Sequence, residues 1–178
     1  MRSPRGDGAP RAGHARVRPA GDRREGRRVR IGRDGGTVRI EFAAEEAGLL
    51  TVLAHQFADV VRDPELDDAP LLARLFPDAY RDDPDAAAEF RRYTRDELEE
   101  RKLEAAESIA ATATEGRVDL GPDAAATWAR SLTDLRMMVG TRLGIRDDGD
   151  DPGEGPLADI YRWLGELQWV LVDALEEP

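Results

Sequence analysis

The sequence predicts a mainly α-helical bundle of about five or six helices with an N-terminal β-hairpin. Three observations lead to this fold class. Apolar residues alternate over residues 29–42 around a glycine-containing turn, as they do in strands. From Glu45 onward they recur with the helical period of about 3.6 residues. Several prolines between these segments follow Asp, Ala or Gly, at positions where a helix can begin.

The length and composition indicate one ordinary domain. We assign it to residues 29–178, with residues 1–28 as a separate tail and an acidic loop near residues 146–156. The chain has no Cys, which excludes disulfides, thiolate nucleophiles and thiolate metal sites within this sequence. No run approaches the roughly 20 apolar residues of a membrane span, and the first residues lack the apolar core of a secretory signal. We therefore expect a cytoplasmic protein that does not bind membranes.

Charge is divided unevenly along the chain. Residues 1–33 contain 11 Arg and 3 acidic residues, and the remaining 15 basic and 34 acidic residues give the body a net charge of −19. An acidic body repels nucleic acid, so nucleic-acid binding would have to come from the tail, residues 1–28. Its Arg, Gly and Pro content predicts disorder. Because no aromatic residue is present to stack on bases, we favour a charged tail resting on its own body, or a start codon assigned too early.

The first ordered element is predicted to be a β-hairpin, "RVRIGRDGGTVRIEF". The segment Asp34-Gly35-Gly36 suits a tight turn because these residues tolerate positive φ. The two glycines are not read as a phosphate-binding loop, since no GxxxxGK[ST] pattern accompanies them. The alternating apolar residues are Val29, Ile31, Val38, Ile40 and Phe42.

The next segment, "EEAGLLTVLAHQFADVVRD", predicts a helix with one core-facing side. His55 lies on the opposite side without a second His or a Ser nearby, so we read it as a solvated residue. The apolar side consists of Leu50, Leu53, Phe57, Val60 and Val61.

The stretch "RLFPDAYRDDPDAAAEF" predicts a joint between two helices. Pro77 ends one helix, and Asp83 caps another that opens at Pro84. We expect aromatic side chains to fill the corner and arginines to pair with carboxylates at its rim. The aromatic residues are Phe76, Tyr80 and Phe90; the rim would pair Arg74 or Arg81 with Asp78, Asp82 or Asp83. The alternative, a metal or carboxylate site, lacks the Gly and distal Glu of a calcium loop.

A capping box at Thr94 and Glu97 predicts the start of a further helix. Its apolar side is thin, so we expect a peripheral, solvated helix that ends at Gly116. The following "RVDL" is predicted to be a short extended link. The thin apolar side consists of Leu98, Ala105, Ile109 and Ala113.

The segment "PDAAATWARSLTDLRMMVGTRLGI" predicts the central helix, in which Gly140 could admit a close helix crossing. Asp134 and Arg136 flank its apolar seam, either as a structural ion pair between helices, which is commoner, or as part of a site. The seam consists of Ala125, Trp128, Leu132, Leu135, Val139 and Leu143.

The last helix, "LADIYRWLGELQWVLVDAL", places Trp169 outside its apolar face. Such a residue is either covered by another helix or left for a partner. Burial within the domain is the commoner outcome for Trp, and a binding surface is the alternative.

Three blocks resemble an actinobacterial family of small proteins, DUF2017: "RLFPDAYRDDPDAAAEFRRYT", "TWARSLTDLRMMVGTRLGI" and "YRWLGELQWVLV". The resemblance covers about Val29 to Leu175. Where the family usually has Asn-Asp-Leu-Arg, this chain has Thr at residue 133, so a role for that Asn does not carry over. The resemblance implies no activity. It implies a link to proteolysis or sulfur metabolism, because the genes often lie beside those for cysteine synthesis and for ClpS, the adaptor that feeds substrates to the Clp protease.

These observations favour a non-catalytic protein-interaction or regulatory module whose partner is a protein, with ClpS or a Clp protease component as the candidate. The alternatives are a carboxylate-based enzyme and nucleic-acid binding through the tail. No catalytic residue, cofactor or metal ligand is assigned, because no nucleophile elbow, P-loop, HExxH or dinucleotide motif is present. The candidate interaction residues are Arg74, Asp78, Tyr80, Asp134, Arg136 and Trp169.

Overall fold

The described residues form five helices and a small antiparallel sheet, which confirms the predicted mainly α class with an N-terminal hairpin. The computed structural model describes residues 29–34, 36–63, 69–80, 82–147 and 149–176. The predicted tail, residues 1–28, lies outside them. In chain order the elements are β1 (Arg30–Asp34), β2 (Thr37–Glu41), α1 (Ala44–Arg62), α2 (Ala69–Leu75), α3 (Pro84–Ala113), β3 (Arg117–Leu120), α4 (Pro122–Arg142) and α5 (Pro156–Glu176).

The sheet has the strand order β1-β2-β3, with both neighbouring pairs antiparallel. The predicted hairpin is confirmed, and Ile31 lies opposite Ile40. The segment "RVDL" is extended, as predicted, but it is a strand of the sheet rather than a link: it is β3, and it pairs Leu120 with Val38. Its alternation, with Val118 and Leu120 buried, follows the strand period, but four residues are too few to distinguish a strand from a link.

Prolines open the three long C-terminal helices, as predicted: Pro84, Pro122 and Pro156 are the first residues of α3, α4 and α5. The Asp83 side chain accepts a hydrogen bond of 3.0 Å from the backbone N–H of Ala86, the predicted cap. Helix α1 begins differently. There the Glu46 carboxylate accepts a hydrogen bond of 2.9 Å from the backbone N–H of Ala43.

The predicted helix start at Thr94 is wrong, because α3 runs without a break for 30 residues. The Thr94 hydroxyl instead donates to the backbone carbonyl of Phe90 at 2.9 Å. Threonine inside a helix can bond to the carbonyl four residues earlier, so a capping-box pattern does not by itself define a helix start. The C-terminal half of α3 is also less peripheral than predicted, since it packs against α1 through buried Ala106, Ile109, Ala110 and Ala113.

Helix α4 is central, as predicted, and contacts α1, α2, α3, α5 and the sheet. Trp128 is 1% exposed and stacks on Phe42 with ring centroids 6.1 Å apart. Gly140 allows the predicted close crossing, because a Cβ atom there would lie 3.0 Å from Cε2 of Tyr161. Among the described residues, no helix is long and apolar enough to cross a membrane.

Candidate functional site

Arg74 joins α2 to the end of α4. Its Nη1 donates to the backbone carbonyl of Ile145 at 2.7 Å and lies 3.4 Å from the hydroxyl of Thr141. A cation at this position also interacts favourably with the free carbonyls at the end of α4. Arg74 therefore does not form the pair with the joint carboxylates that was predicted for Arg74 or Arg81, and Arg81 lies outside the described residues. The contacts of Arg74 are structural.

Asp78 pairs instead with Arg91: Nη1 of Arg91 donates a hydrogen bond to Oδ1 of Asp78. Both side chains are 46% exposed. Arg91 lies in α3, beyond the joint. The sequence gave no indication that its side chain reaches Asp78. An ion pair this exposed stabilises the fold little.

The aromatic corner is filled only in part. Phe76 is buried, with the Arg95 guanidinium 4.2 Å above its ring. Tyr80 and Phe90 meet edge to face with centroids 5.9 Å apart, yet they are 50% and 45% exposed. Tyr93, on the same side of α3 as Phe90, is 74% exposed. The predicted corner is thus closed at Phe76 and open at the other two rings.

Asp134 faces α3, where Lys102 donates to both of its carboxylate oxygens at 2.8 and 2.9 Å. The Lys102 and Asp134 side chains are only 16% and 13% exposed. Burial raises the pKa of the Asp134 carboxyl above its usual range, and the bonded Lys102 ammonium partly counters that rise. Lys102 is the only lysine of the chain, and sequence reasoning did not assign it to this pair.

A groove of about 610 Å³ lies beside this ion pair, between α3 and α4. Ser131, which is 1% exposed, also lines the groove, and its buried hydroxyl oxygen has no hydrogen-bond partner among the described residues. The lining residues are Leu98, Arg101, Lys102, Glu104, Ala105, Thr127, Arg130, Ser131 and Asp134.

Arg136 faces α5 and does not pair with Asp134; the predicted structural ion pair between helices is formed by Asp134 with Lys102 of α3 instead. Its guanidinium lies 4.4 Å from the ring centroid of Tyr161. Gly165 leaves space for it, since a Cβ atom there would lie 3.3 Å from Nε of Arg136. Side chains two positions apart on a helix point in directions about 200° apart. Asp134 and Arg136 therefore face different neighbouring helices.

Trp169 is 67% exposed, so the expectation of burial within the domain is wrong. Val172 on the same side is 36% exposed. We call the exposed side of α5 that carries them the Trp169 strip; it consists of Glu166, Trp169, Val172, Asp173 and Glu176. At 100° per residue these positions fall within an arc of about 120°.

The carboxylates of the Trp169 strip, on Glu166, Asp173 and Glu176, form no ion pair or hydrogen bond with the other residues that the structure describes. The opposite side of α5 packs against α4 and the sheet. Close by, Gln168 donates to the Thr133 hydroxyl at 2.8 Å and fixes α5 on α4. The strip is therefore an aromatic surface on a firmly packed helix, and its carboxylates have no basic partner within the described part of the chain.

The six predicted site residues lie in five separate places. Only Asp78 and Tyr80 share the joint at the start of α3, whereas Arg74, Asp134, Arg136 and Trp169 face different elements. Within the described ranges, no three His, Cys, Asp or Glu residues are grouped so that they could hold a metal ion. Of these places, the Trp169 strip has the composition of a protein-binding surface, because exposed Trp is enriched at interfaces.

Comparison with known proteins gives two findings. A family model described as Domain of unknown function (DUF2017) matches residues 26–175. A Mycobacterium leprae (strain TN) protein, provisionally named oxidative stress regulator AosR, is 33% identical over 126 residues. That match covers 60% of this chain and 58% of the relative, so the chain spans a little over half of the relative's length. No solved structure matches the chain significantly.

Proposed function

We propose a function for this chain, which belongs to the DUF2017 family: it is a non-catalytic regulatory module that binds a protein partner through the Trp169 strip. One observation carries the proposal, the 67% exposure of Trp169 beside Val172. Trp is the residue type most enriched among those that dominate binding energy at interfaces. A partner that covers it gains the hydrophobic free energy that folding of this chain leaves unused.

The name of the Mycobacterium leprae relative supports the regulatory part of this proposal, since that protein is described as a regulator of oxidative stress. The present sequence contains no Cys and therefore no thiol for sensing oxidants. We therefore place the regulatory action of this chain in binding rather than in redox chemistry.

The partner we propose is ClpS or a component of the Clp protease, the class implied by the gene neighbourhood of the family. Such a partner would place the chain in regulated proteolysis. The carboxylates around Trp169 favour a partner surface on which basic side chains lie beside an apolar patch that covers the indole ring. Opposite charges across an interface speed association and fix the orientation of the partners.

The test is affinity capture from extract of the source cells with the full chain as bait. Two variants serve as matched baits: Trp169→Ala, and Tyr93→Ala, which removes an aromatic ring of similar exposure from α3. We expect ClpS or a Clp component on the wild-type and Tyr93→Ala baits and its loss from Trp169→Ala. Circular dichroism of all three baits checks that they are equally folded. If the Trp169→Ala bait captures the partner as well as the wild-type bait does, the strip is not the surface that binds it.

One observation favours a second candidate, a carboxylate-based enzyme: Asp134 has a raised pKa and lines a groove beside the unbonded Ser131 hydroxyl. A carboxyl group of raised pKa can act as a general acid or base. Against this, Lys102 holds both carboxylate oxygens, and neither Arg74 nor Arg136 reaches the groove. Metabolite screening by thermal shift, with Asp134→Asn as control, tests this candidate.

A further inference from the structure

We propose that the groove between α3 and α4 is a binding site for a small molecule with a carboxylate or phosphate group, whose oxygens accept hydrogen bonds from Lys102, Arg130 and Ser131. The site is separate from the Trp169 strip, because none of the described residues that line the groove belongs to α5. The inference goes beyond the proposed function, and it requires binding only, without a catalysed reaction.

The Ser131 hydroxyl is the first observation. Ser131 is 1% exposed, and its Oγ has no hydrogen-bond partner among the described residues. The hydroxyls of three threonines on the same helix donate to the backbone carbonyl four residues earlier, namely Thr127, Thr133 and Thr141. Ser131 makes no such bond, although it lines the groove. Because a buried polar group without a partner is costly, a ligand oxygen that bonds to this hydroxyl gains free energy.

The second observation is the ion pair at the same groove. Lys102 and Asp134 form the least exposed ion pair among the described residues, at 16% and 13%. Lys102 donates to both carboxylate oxygens, which uses at most two of the three N–H groups of its ammonium. At least one N–H therefore remains for a ligand. Water screens a largely buried ammonium less than an exposed one, so it attracts an anion more strongly.

Arg130 supplies a guanidinium at the groove. Its Nη2 donates to the Thr127 hydroxyl at 3.1 Å, and no carboxylate pairs with it in the part of the chain that the structure describes. Arg101, which also lines the groove, is paired with Glu97. A guanidinium presents two parallel N–H groups that match two oxygens of a carboxylate or phosphate. The available hydrogen-bonding groups are thus donors, and a ligand with acceptor oxygens fits them.

The charge of the lining also favours an anion. Three cationic and two anionic side chains line the groove, a net charge of +1 on a chain whose net charge is −11. Of the two anionic side chains, Asp134 is held by Lys102. Glu104 is exposed to water, which screens its charge.

The size of the groove suits a small molecule. Its volume of about 610 Å³ lies within the range of about 300–1,000 Å³ that is typical of small-molecule sites. Leu98 and Ala105 offer apolar contacts to the carbon skeleton of such a ligand. The groove therefore combines one apolar part with a few polar groups that fix the orientation of the ligand.

An NMR titration of the full, ¹⁵N-labelled chain tests the site. The probes are inorganic phosphate and succinate, and NaCl at matched ionic strength is the control. Because the inference concerns the oxyanion group itself, these bare anions should bind with a Kd on the order of millimolar. We expect saturable shifts of the backbone amide signals of residues 98–105 and 127–134 that NaCl does not produce. Saturation with only one of the probes identifies carboxylate or phosphate as the group that is bound.

Variants decide whether the shifts come from this site. Arg130→Gln should weaken binding about tenfold or more and Ser131→Ala about threefold, because each removes a donor to the anion. The matched control Arg92→Gln, at an exposed position of α3 outside the groove lining, should leave the Kd within about twofold of wild type. Arg130 and Arg92 are both exposed, so neither replacement should unfold the chain, and circular dichroism checks this.

Two results would overturn the inference: no saturable shift with either anion, or the same Kd for Arg130→Gln as for wild type. Trp169→Ala should bind both anions as wild type does, because Trp169 does not line the groove. The titration and the capture of a protein partner can therefore fail independently of each other.

Discussion

Replacing Lys102 by Met should destabilise the fold at neutral pH, because it leaves the Asp134 carboxylate without its ion-pair partner. Both side chains are largely buried, at 16% and 13% exposure, and Lys102 donates to both oxygens. Removing one partner of a fully buried pair costs about 3–5 kcal/mol, and the remaining exposure reduces this to about 2–3 kcal/mol. For a chain of this size the midpoint of thermal unfolding should fall by about 5–10 °C.

The stability lost in Lys102→Met should depend on pH in a defined direction. The folded-state pKa of Asp134 is already raised above its unfolded value near 3.8 by burial, and losing Lys102 raises it further. A raised pKa favours folding while the carboxyl is protonated, and this contribution is lost as pH rises through the folded-state value. The deficit of Lys102→Met should therefore be largest at neutral pH and shrink toward pH ~4.

Urea unfolding of wild type and variant at several pH values measures this deficit. Arg62→Met is the control, since it breaks an exposed ion pair with Glu107 between α1 and α3 and should cost less than about 1 kcal/mol. The double variant Lys102→Met/Asp134→Leu should return to within about 1 kcal/mol of wild type, because no uncompensated charge remains. A deficit of the same size in acid as at neutral pH would refute the reasoning.

Two further substitutions test the packing of α4. Gly140→Ala should destabilise the chain by about 1 kcal/mol in urea unfolding, because its new methyl group meets the Tyr161 ring at 3.0 Å and overpacking outweighs the gain in helix propensity. The control Gly48→Ala, in open space on α1, should stabilise the chain by about 0.5–1 kcal/mol. Stability changes of the same sign in both variants would contradict this account. Ser131→Ala should lower the free energy of unfolding by less than about 1 kcal/mol, or raise it, because the hydroxyl it removes is buried without a partner among the described residues. A loss above about 2 kcal/mol in the same urea unfolding would instead reveal a hydrogen bond from this hydroxyl to water or a ligand in the groove.

The fold was predictable wherever the signal is local. Alternation around a glycine turn identified β1 and β2, and the Asp83-Pro84 pair identified the start of α3 from cap chemistry alone. The long apolar seam of α4 identified the central helix. Each of these signals lies within one continuous segment of the chain, so no knowledge of packing was needed.

The side-chain partners were not predictable, because they depend on how distant segments meet. Lys102 and Asp134 are 32 residues apart and pair only because α3 lies against α4. Periodicity correctly placed Trp169 outside the apolar face of α5, but only the positions of the other helices decide whether that side is covered. The strand β3 was missed for the same reason, since its partner β2 is far away in sequence.

The pairing of β2 with β3 has a consequence for synthesis of the chain. Val38 and its partner Leu120 are separated by the whole of α1, α2 and α3. At about 5–20 residues per second, a ribosome needs roughly 4–16 s to make the residues between them. During that interval the hairpin is complete while one edge of β2 has no strand beside it, and open edges recruit other chains. The charged side chains of Arg39 and Glu41, which alternate with the buried residues of β2, stand where they can discourage a nascent chain from pairing with its neighbour on the same messenger RNA.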